Sequence, residues 1–201
     1  YFPEHKKNEY INFLTNLVWA AISEVVVSAR ECMNWIRDVA KRLSKAGYPV
    51  IWNTPTGLCV FQHYKAFKFR QIDTTIDGKL LRPVLLEEEA LKIDSQRSVN
   101  GSAPNFVHSL DASCLTLTLH KCSKYKTDSF QMIHDSYGTH CANTPKLAKL
   151  LREAFVEIYT ENDVLAQFRS SALEVLDEVP EPPKRGTLDL NQVLDSKYFF
   201  C

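Results

Sequence analysis

The sequence predicts an α+β fold that is mostly helical, and three observations support this prediction. Apolar residues spaced by three and four positions run from about residue 9 to residue 46, which is typical of a long helix. The same spacing returns over residues 147–159. Between these stretches lie two β-hairpin signals, the turn at residues 54–57 and the dipeptide Asp77-Gly78. We therefore expect short antiparallel strands between longer helices.

The composition indicates an ordinary globular chain. Of its 201 residues, 45% are hydrophobic and 24% are charged, which suits one large domain or a domain with appendages. The 24 basic and 24 acidic residues cancel, so net charge alone predicts neither a nucleic-acid-binding protein nor a membrane-surface protein. The six cysteines form no Cys-x-x-Cys pair, which favours reduced thiols inside a cell. Charged residues break the apolar stretches before the ~20 positions that a membrane span needs, so we expect a soluble chain without membrane contact.

The first helix and hairpin have clear boundary signals. The helix is expected to end at Gly47, because glycine accepts the left-handed helix cap and Pro49 cannot continue the helix. Two strands follow, at residues 50–52 and 59–64, and the turn 54–57 lies between them.

The middle of the chain is predicted to hold a second hairpin and another helix. The second hairpin turns at Asp77-Gly78, which is flanked by β-forming residues. Residues 87–101 are interpreted as an acidic connector that ends in an Asn100-Gly101 turn. Pro104 lacks an N–H group and therefore suits the first turn of a helix over residues 105–121.

The C-terminal part is predicted to combine a third hairpin with two helices. Residues 129–134 form its first strand, and residues 139–142 are the expected partner after a glycine-bearing turn. A helix begins at Pro145, and a weaker one continues to about residue 176. A loop over residues 179–186 leads to a short amphipathic tail.

Asp135 is the first candidate for chemistry, because it follows an apolar strand and a charged side chain there is unexpected. A carboxylate exposed at a strand end can bind a hard cation such as Mg²⁺. Magnesium sites for phosphoryl transfer use one or two carboxylates together with the phosphates of the substrate. One aspartate is therefore half a site. The alternative is a turn aspartate that bonds its own backbone.

His108 and Asp111 form the second candidate. They lie three residues apart on one face of the predicted helix, near its N-terminus, where free N–H groups suit phosphate or another anion. A capping aspartate beside an unrelated surface histidine is the alternative. A hydrolase triad with Ser109 is excluded, because adjacent helical residues point about 100° apart and the sequence has no GxSxG elbow.

The second hairpin is the third candidate, as a nucleic-acid-binding ribbon. Residues 61–86 carry five basic residues against two acidic ones, with aromatic residues interleaved. A basic two-stranded ribbon can enter the DNA major groove, where arginine reads guanine. An ordinary solvated hairpin is the alternative, and the acidic residues 87–89 limit how basic the ribbon can be.

Taken together, these segments resemble the single-subunit DNA-directed RNA polymerases of phages, mitochondria and chloroplasts. The sequence "SAPNFVHSLDAS" resembles the helix beside the active site of that family, and "MIHDSYGTH" resembles its palm hairpin with the second catalytic aspartate. Further matches are "VSARECMNWIRDVAKRL", "IWNTPTGLCVFQHY", "LREAFVEIY" and the terminal "KYFF". The matches are collinear over nearly the whole chain, so we expect the C-terminal portion of such an enzyme, with a right-hand polymerase fold.

The resemblance implies roles for individual residues. Asp135 would be a Mg²⁺ ligand, and His108 and His134 would contact the growing RNA end or its template. Two Mg²⁺ ions are implied, shared with an upstream aspartate that these 201 residues lack. The implied partners are nucleoside triphosphates, an RNA–DNA hybrid, double-stranded promoter DNA and the rest of the polymerase chain. We expect these residues alone to be inactive.

The resemblance also implies three parts. Residues 1–66 would be a fingers-region helix and strands, 67–101 a promoter-specificity hairpin and connector, and 102–201 a palm part with the terminal tail. Within the hairpin, Arg70 and Arg82 would read promoter bases.

The source and two alternative functions stay open at this point. Gly138 stands where the organelle enzymes usually have tryptophan, which favours a phage or prophage protein in the bacterial cytoplasm, whereas the "YFF" ending is more typical of mitochondrial and chloroplast enzymes. One alternative function is a related DNA polymerase, whose motif usually reads His-Asp-Glu where this chain has Ser136. The other is a non-catalytic nucleic-acid-binding module with the same fold.

Overall fold

The computed structural model describes residues 6–125, 127 and 129–200, with the backbone alone at 88–91. The α-helices are α1 (Lys7–Val25), α2 (Val27–Lys45), α3 (Ser95–Ser123), α4 (Thr144–Glu161), α5 (Val164–Leu173) and α6 (Gln192–Asp195). The strands are β1 (Val50–Asn53), β2 (Cys59–Gln62), β3 (Lys65–Gln71), β4 (Thr74–Ile76), β5 (Lys79–Leu81), β6 (Val84–Ile93), β7 (Phe130–Ile133) and β8 (Ser136–Thr139). In the described chain the strands pair antiparallel, as β1 with β2, β3 with β6, β4 with β5 and β7 with β8. The predicted α+β class, mostly helical, is confirmed.

The N-terminal apolar stripe is divided between two helices. Val26 has non-helical dihedrals, and α1 and α2 meet there at 106°. Three consecutive valines, residues 25–27, explain the break, because β-branched side chains lose rotamer freedom in a helix. No single helix among the described residues is long and apolar enough to span a membrane, and only the bent pair α1 and α2 passes that test jointly.

The main core lies where α2, β1, α3 and α5 meet. Four aromatic side chains fill it, and their rings contact one another with centroids 5.2–5.9 Å apart: Trp35, Trp52, Phe106 and Phe168. Both indole N–H groups are satisfied, one by the carbonyl of Pro180 at 3.0 Å and the other by Ser109 Oγ at 2.9 Å. This core fixes α3 against the first hairpin.

The hairpin at Asp77-Gly78 has the predicted turn. Both residues have positive φ, 51° and 74°, as the two central residues of a type I′ turn require. The chain after this turn forms two strands, the short β5 and then β6, and β6 extends through residues that were interpreted as an acidic connector.

Helix α3 begins earlier than predicted. Asp94 caps its first turn by accepting a hydrogen bond from the backbone N–H of Arg97 at 3.0 Å. The predicted turn at Asn100-Gly101 is wrong, and Pro104 lies in the helix interior instead of its first turn. Asn100 and Pro104 are both exposed, so water can reach the carbonyl that loses its partner at the proline. The helix runs without a break across the expected boundary between residues 101 and 102.

The third hairpin is tighter than predicted. Strand β7 pairs with the residues directly after Asp135, and Ile133 faces Ser136 in the register. Of the predicted partner at 139–142, only Thr139 belongs to β8, because Cys141–Asn143 forms a 3₁₀ turn. Gly138 lies inside β8 and not in the turn, and a Cβ there would approach the backbone oxygen of Gln131 to 3.3 Å.

The C-terminal helices follow the predicted order. Proline occupies the first turn of α4, and α5 is shorter than expected, ending at Leu173. The tail returns onto α4, where Arg152 donates to the carbonyl of Ser196 at 3.1 Å and Phe155 packs edge-on against Phe199. The tail is thereby held beside the hairpin of β7 and β8.

Candidate active site and nucleic-acid-binding hairpin

Asp135 lies in the two-residue turn that joins β7 to β8. Its partner in the turn, His134, has a φ of 53°, a left-handed conformation that non-glycine residues adopt infrequently. Both side chains are exposed. The Asp135 carboxylate makes no hydrogen bond or ion pair with the described residues. It is therefore presented to solvent at the tip of the hairpin, where an external ligand can reach it.

The hairpin that carries Asp135 is fixed from below by apolar packing. Phe130, Met132 and Tyr137 pack on a cluster formed by Cys122, Leu147 and Leu150. Such packing on helices α3 and α4 restrains the turn above it.

Tyr137 joins this cluster to a second one. Its ring also packs against the cluster of Cys114, Leu151 and Ile158, and it contacts the Phe200 ring with centroids 5.8 Å apart. Sequence reasoning missed Tyr137. The available signal was the alternation in β7, where Phe130 and Met132 project from one face, and Tyr137 lies opposite Met132.

Two partly buried tyrosines of this region have raised pKa values. Burial raises the pKa of Tyr137, and the Cys114 thiol and the carboxyls of Asp111 and Asp135 act in the same direction. Burial likewise raises the pKa of Tyr159 to about 12, with further contributions from Asp111 and Cys114. Asp111 of α3 and Asp135 of the hairpin therefore both act on the pKa of one side chain, Tyr137.

His108 lies in the middle of α3 and is exposed. The prediction that His108 and Asp111 lie near a helix N-terminus is wrong, because α3 already begins at Ser95. The backbone N–H groups beside them belong to the helix interior, so they are not free for an anion. One part of the prediction remains: His108 and Asp111 are three positions apart and lie on one face of the helix.

Ser109 is buried in the core, and its hydroxyl is hydrogen-bonded there. Its hydroxyl donates to the carbonyl of Phe106 at 2.7 Å and accepts from the Trp52 indole at 2.9 Å, and the residue is 8% exposed. A serine nucleophile at this position is therefore excluded by the structure as well as by the spacing.

Strand β3 of the second hairpin separates basic from aromatic side chains. Along β3, Lys68 and Arg70 project from one face, and Phe67 and Phe69 project from the other. Phe69 is 75% exposed, so its ring is free to stack on a partner. Strand β3 thus has one basic and one aromatic face, and because Glu87 lies opposite Lys68 on β6, the ribbon is not uniformly basic.

The two candidate base-reading arginines differ in their surroundings. Arg82 forms an ion pair with Asp73, with Nε and Oδ1 3.2 Å apart and both side chains mostly exposed. Arg70 makes no hydrogen bond or ion pair with the described residues and faces Leu85 across the strand pair. Arg70 therefore has the freer guanidinium.

The residues present fit a magnesium site only in part. No group of three or more histidine, cysteine or acidic side chains that could hold a metal ion occurs among the described residues. Asp135 supplies one unpaired, exposed carboxylate, and oxygen ligands of this kind are those that Mg²⁺ prefers. Half of the donor set of a two-carboxylate site is therefore present.

Comparison with known proteins identifies the class. The family described as DNA-dependent RNA polymerase matches residues 1–178, and the chain belongs to that family. It is 36% identical to the DNA-directed RNA polymerase of enterobacteria phage T3 and 35% identical to T7 RNA polymerase of Escherichia phage T7, in each case over 96% of this chain and 24% of the relative. It is 38% identical to the mitochondrial DNA-directed RNA polymerase 1 of Nicotiana sylvestris, over 90% of this chain and 18% of the relative. The chain thus spans about a quarter or less of the length of these relatives.

Proposed function

We propose that this chain is part of a DNA-directed RNA polymerase that adds ribonucleoside monophosphates from nucleoside triphosphates to the 3′ end of RNA. The observation that carries the proposal is Asp135, an unpaired carboxylate on a tight hairpin turn in a chain of the DNA-dependent RNA polymerase family. In this proposal, residues 1–66 belong to the fingers and 102–201 to the palm of a right-hand polymerase fold.

Asp135 would act as a ligand of catalytic Mg²⁺. When bound, two such ions stabilise both the attacking and the leaving oxygens of an in-line phosphoryl transfer. The chain's own contribution is a charged oxygen held on a hairpin that α3 and α4 support. A second carboxylate would come from the rest of the polymerase.

His108 and His134 would contact the growing RNA end and its template. His108 is exposed on α3, and His134 directly precedes the proposed ligand on the same turn. Neither has to transfer a proton in this proposal, because orienting the reactants by itself lowers the barrier.

The hairpin from β3 to β6 would bind double-stranded promoter DNA. Arg70 is exposed and has no ion-pair partner among the described residues, so it can donate two hydrogen bonds to guanine in the major groove. Arg82 would join it after exchanging its contact with Asp73 for DNA, which costs little because an exposed ion pair contributes at most about 1 kcal/mol.

The rest of the polymerase chain would be the principal protein partner. Helix α1 buries none of its residues, and Phe13 and Leu17 are 64% and 55% exposed. An apolar surface of this extent supports a large partner that covers it. The relatives include both phage and organelle enzymes, and we favour a phage or prophage protein in the bacterial cytoplasm over a mitochondrial or chloroplast one.

The test is nucleotide addition by the complete polymerase that contains this chain. On a preformed RNA–DNA scaffold with Mg²⁺, we expect extension with ribonucleotides and much weaker extension with deoxyribonucleotides. A preference for deoxyribonucleotides would support the related DNA polymerase instead. Binding of nucleic acid without extension by either substrate would support the non-catalytic module. The Asp135→Asn protein serves as the matched control for contaminating activity.

A further inference from the structure

We propose that Tyr64 is a positioning residue that fixes the root of the β3–β6 hairpin to α3 and so sets the hairpin's position on promoter DNA. This inference rests on the proposed function of the hairpin. Both chain ends of the hairpin meet at Tyr64, whose carbonyl accepts a hydrogen bond from the N–H of Asp94 at 2.8 Å. Lys65 and Ile93 are the first residues paired across the two strands.

The side chain of Tyr64 is attached to α3 by its hydroxyl and by its ring. Asn105 Nδ2 donates to the hydroxyl at 3.2 Å and also to Gln62 Oε1 at 2.8 Å. Gln62 in turn donates to the carbonyl of Ser98 at 2.9 Å in a buried contact. Side chains from β2, from the link between β2 and β3, and from α3 therefore share one network.

Two further contacts hold the tyrosine ring. The guanidinium of Arg97 lies 5.2 Å from the ring centroid, within the range of a cation–π contact. Gly101 lets the ring approach α3 closely, since a Cβ there would lie 3.0 Å from the hydroxyl oxygen and 3.1 Å from Cε2. Because Arg97, Gly101 and Asn105 are spaced by four residues, they share one face of the helix.

This attachment matters because the hairpin is long, so a small rotation at its root displaces its tip by a large distance. Within the described residues, β3 to β6 pack mainly on one another and not on the helices. Strand β3 alone has 7 residues, about 23 Å at the usual rise of a strand. A rotation of about 10° at the root would shift a tip at that distance by about 4 Å, more than the ~3.4 Å between successive base pairs. Base readout by Arg70 therefore requires a fixed root.

The same helix connects the root to the proposed active site. His108 follows Asn105 by three residues, and about 10 Å of rigid helix separates it from Gly101. The hairpin and His108 are consequently attached to one element, so promoter position and the position of the RNA end are set together.

The test uses two substitutions at the root in the complete polymerase, Tyr64→Ala and Gly101→Ala. Each should lower initiation at the cognate promoter about tenfold or more, while extension of a preformed RNA–DNA scaffold stays within about twofold. Alanine has a higher helix propensity than glycine, so Gly101→Ala should not weaken α3 itself. Gly186→Ala is the matched control, because a Cβ there has no heavy atom within 4 Å, and it should leave both rates unchanged.

The double variant tests whether the two residues act through one contact. Without the tyrosine ring, the new methyl group loses its two closest contacts, and of its three nearest atoms only Asn105 Nδ2 remains, at an ordinary 3.4 Å. The double variant should therefore initiate at the rate of Tyr64→Ala alone and show no additive loss. Additive losses would mean that the two substitutions act separately, and the shared contact would be rejected.

Two results would overturn the positioning role. If both single variants lose promoter initiation and scaffold extension equally, the two residues have a general structural role. If promoter initiation is unchanged, they have no role in positioning the hairpin. Replacing residues 67–86, which include both Arg70 and Arg82, by a short turn separates this failure from that of the proposed function. If that variant keeps promoter selectivity, the hairpin does not recognise DNA. If it loses selectivity while Tyr64→Ala and Gly101→Ala keep it, the positioning role alone fails.

Discussion

At the scale of single residues, the charge of Asp135 is the feature on which the proposed chemistry depends. We expect Asp135→Asn in the complete polymerase to abolish nearly all nucleotide addition while promoter affinity stays close to that of the parent. Asparagine keeps the size and one oxygen but removes the charge that a hard Mg²⁺ ion requires. Single-nucleotide extension on a scaffold, measured in parallel with promoter affinity, tests this expectation.

A purely structural aspartate predicts the opposite result. Asparagine is an equally good turn residue, so the variant would remain active if Asp135 only stabilised its turn. Extension at more than a few per cent of the parent rate would therefore end the assignment as a metal ligand.

His108→Ala should have a different effect from the loss of Asp135. Because a positioning contact would be removed while the metal ligand remains, we expect a partial loss of rate together with weaker binding of the RNA end. A titration of the scaffold concentration separates the two quantities. A complete loss of rate with unchanged scaffold affinity would contradict this role.

Tyr137 offers a test of how the hairpin is supported. Tyr137→Phe keeps the ring that packs on both apolar clusters, so extension should stay near the parent rate. Tyr137→Ala leaves a cavity between the clusters and should cost up to about 3 kcal/mol of stability, with a loss of extension that exceeds any loss of promoter affinity. Urea unfolding and scaffold extension of both variants test this expectation. If the phenylalanine variant extends as slowly as the alanine variant, the hydroxyl of Tyr137 and not its ring is required for extension.

At the scale of elements, the β3–β6 hairpin predicts different losses of promoter affinity for substitutions at Arg70 and at Arg82. If Arg70 reads a base, Arg70→Ala should cost about 1–3 kcal/mol at the cognate promoter and relax the preference at one position. Arg82→Ala should cost less, because Arg82 must first leave Asp73. Binding to a set of promoters with single base-pair changes is the measurement.

The pattern of losses on this promoter set identifies the kind of contact. An equal loss on every sequence would indicate a phosphate contact, which carries no sequence information. No loss with either variant would remove both arginines from promoter recognition. Lys41, an exposed cation outside the hairpin on α2, provides a control substitution to alanine.

At the scale of the whole molecule, the proposed catalytic site would be completed by the rest of the polymerase. We expect the purified chain alone to add no nucleotides to a scaffold, because the described residues offer a single unpaired carboxylate at the hairpin and two-metal chemistry needs more. The same chain with Asp135→Asn is the matched control. Incorporation by the unmodified chain above that control would refute the expectation.

Some features were predictable from the sequence because they depend on a few adjacent residues. The turn at Asp77-Gly78 requires positive φ at both positions, and those two residue types tolerate it wherever the chain leads. The stripe of α4 and its proline in the first turn are likewise local signals. Asp135 was recognised for the same reason, as a charge directly after an apolar strand, and the resemblance added the expected role.

Other features were decided only by the tertiary structure, because they depend on contacts between residues far apart in the chain. Gly101 and Pro104 suggest a break, yet α3 passes through both, since the helix packs on the core and Tyr64 fills the space that Gly101 leaves. The position of Tyr137 between two apolar clusters likewise requires α3, α4 and the hairpin to be folded together. Local stereochemistry therefore determined the turns and the helical stripes of this protein, whereas long-range packing determined where α3 begins and which side chains support the candidate site.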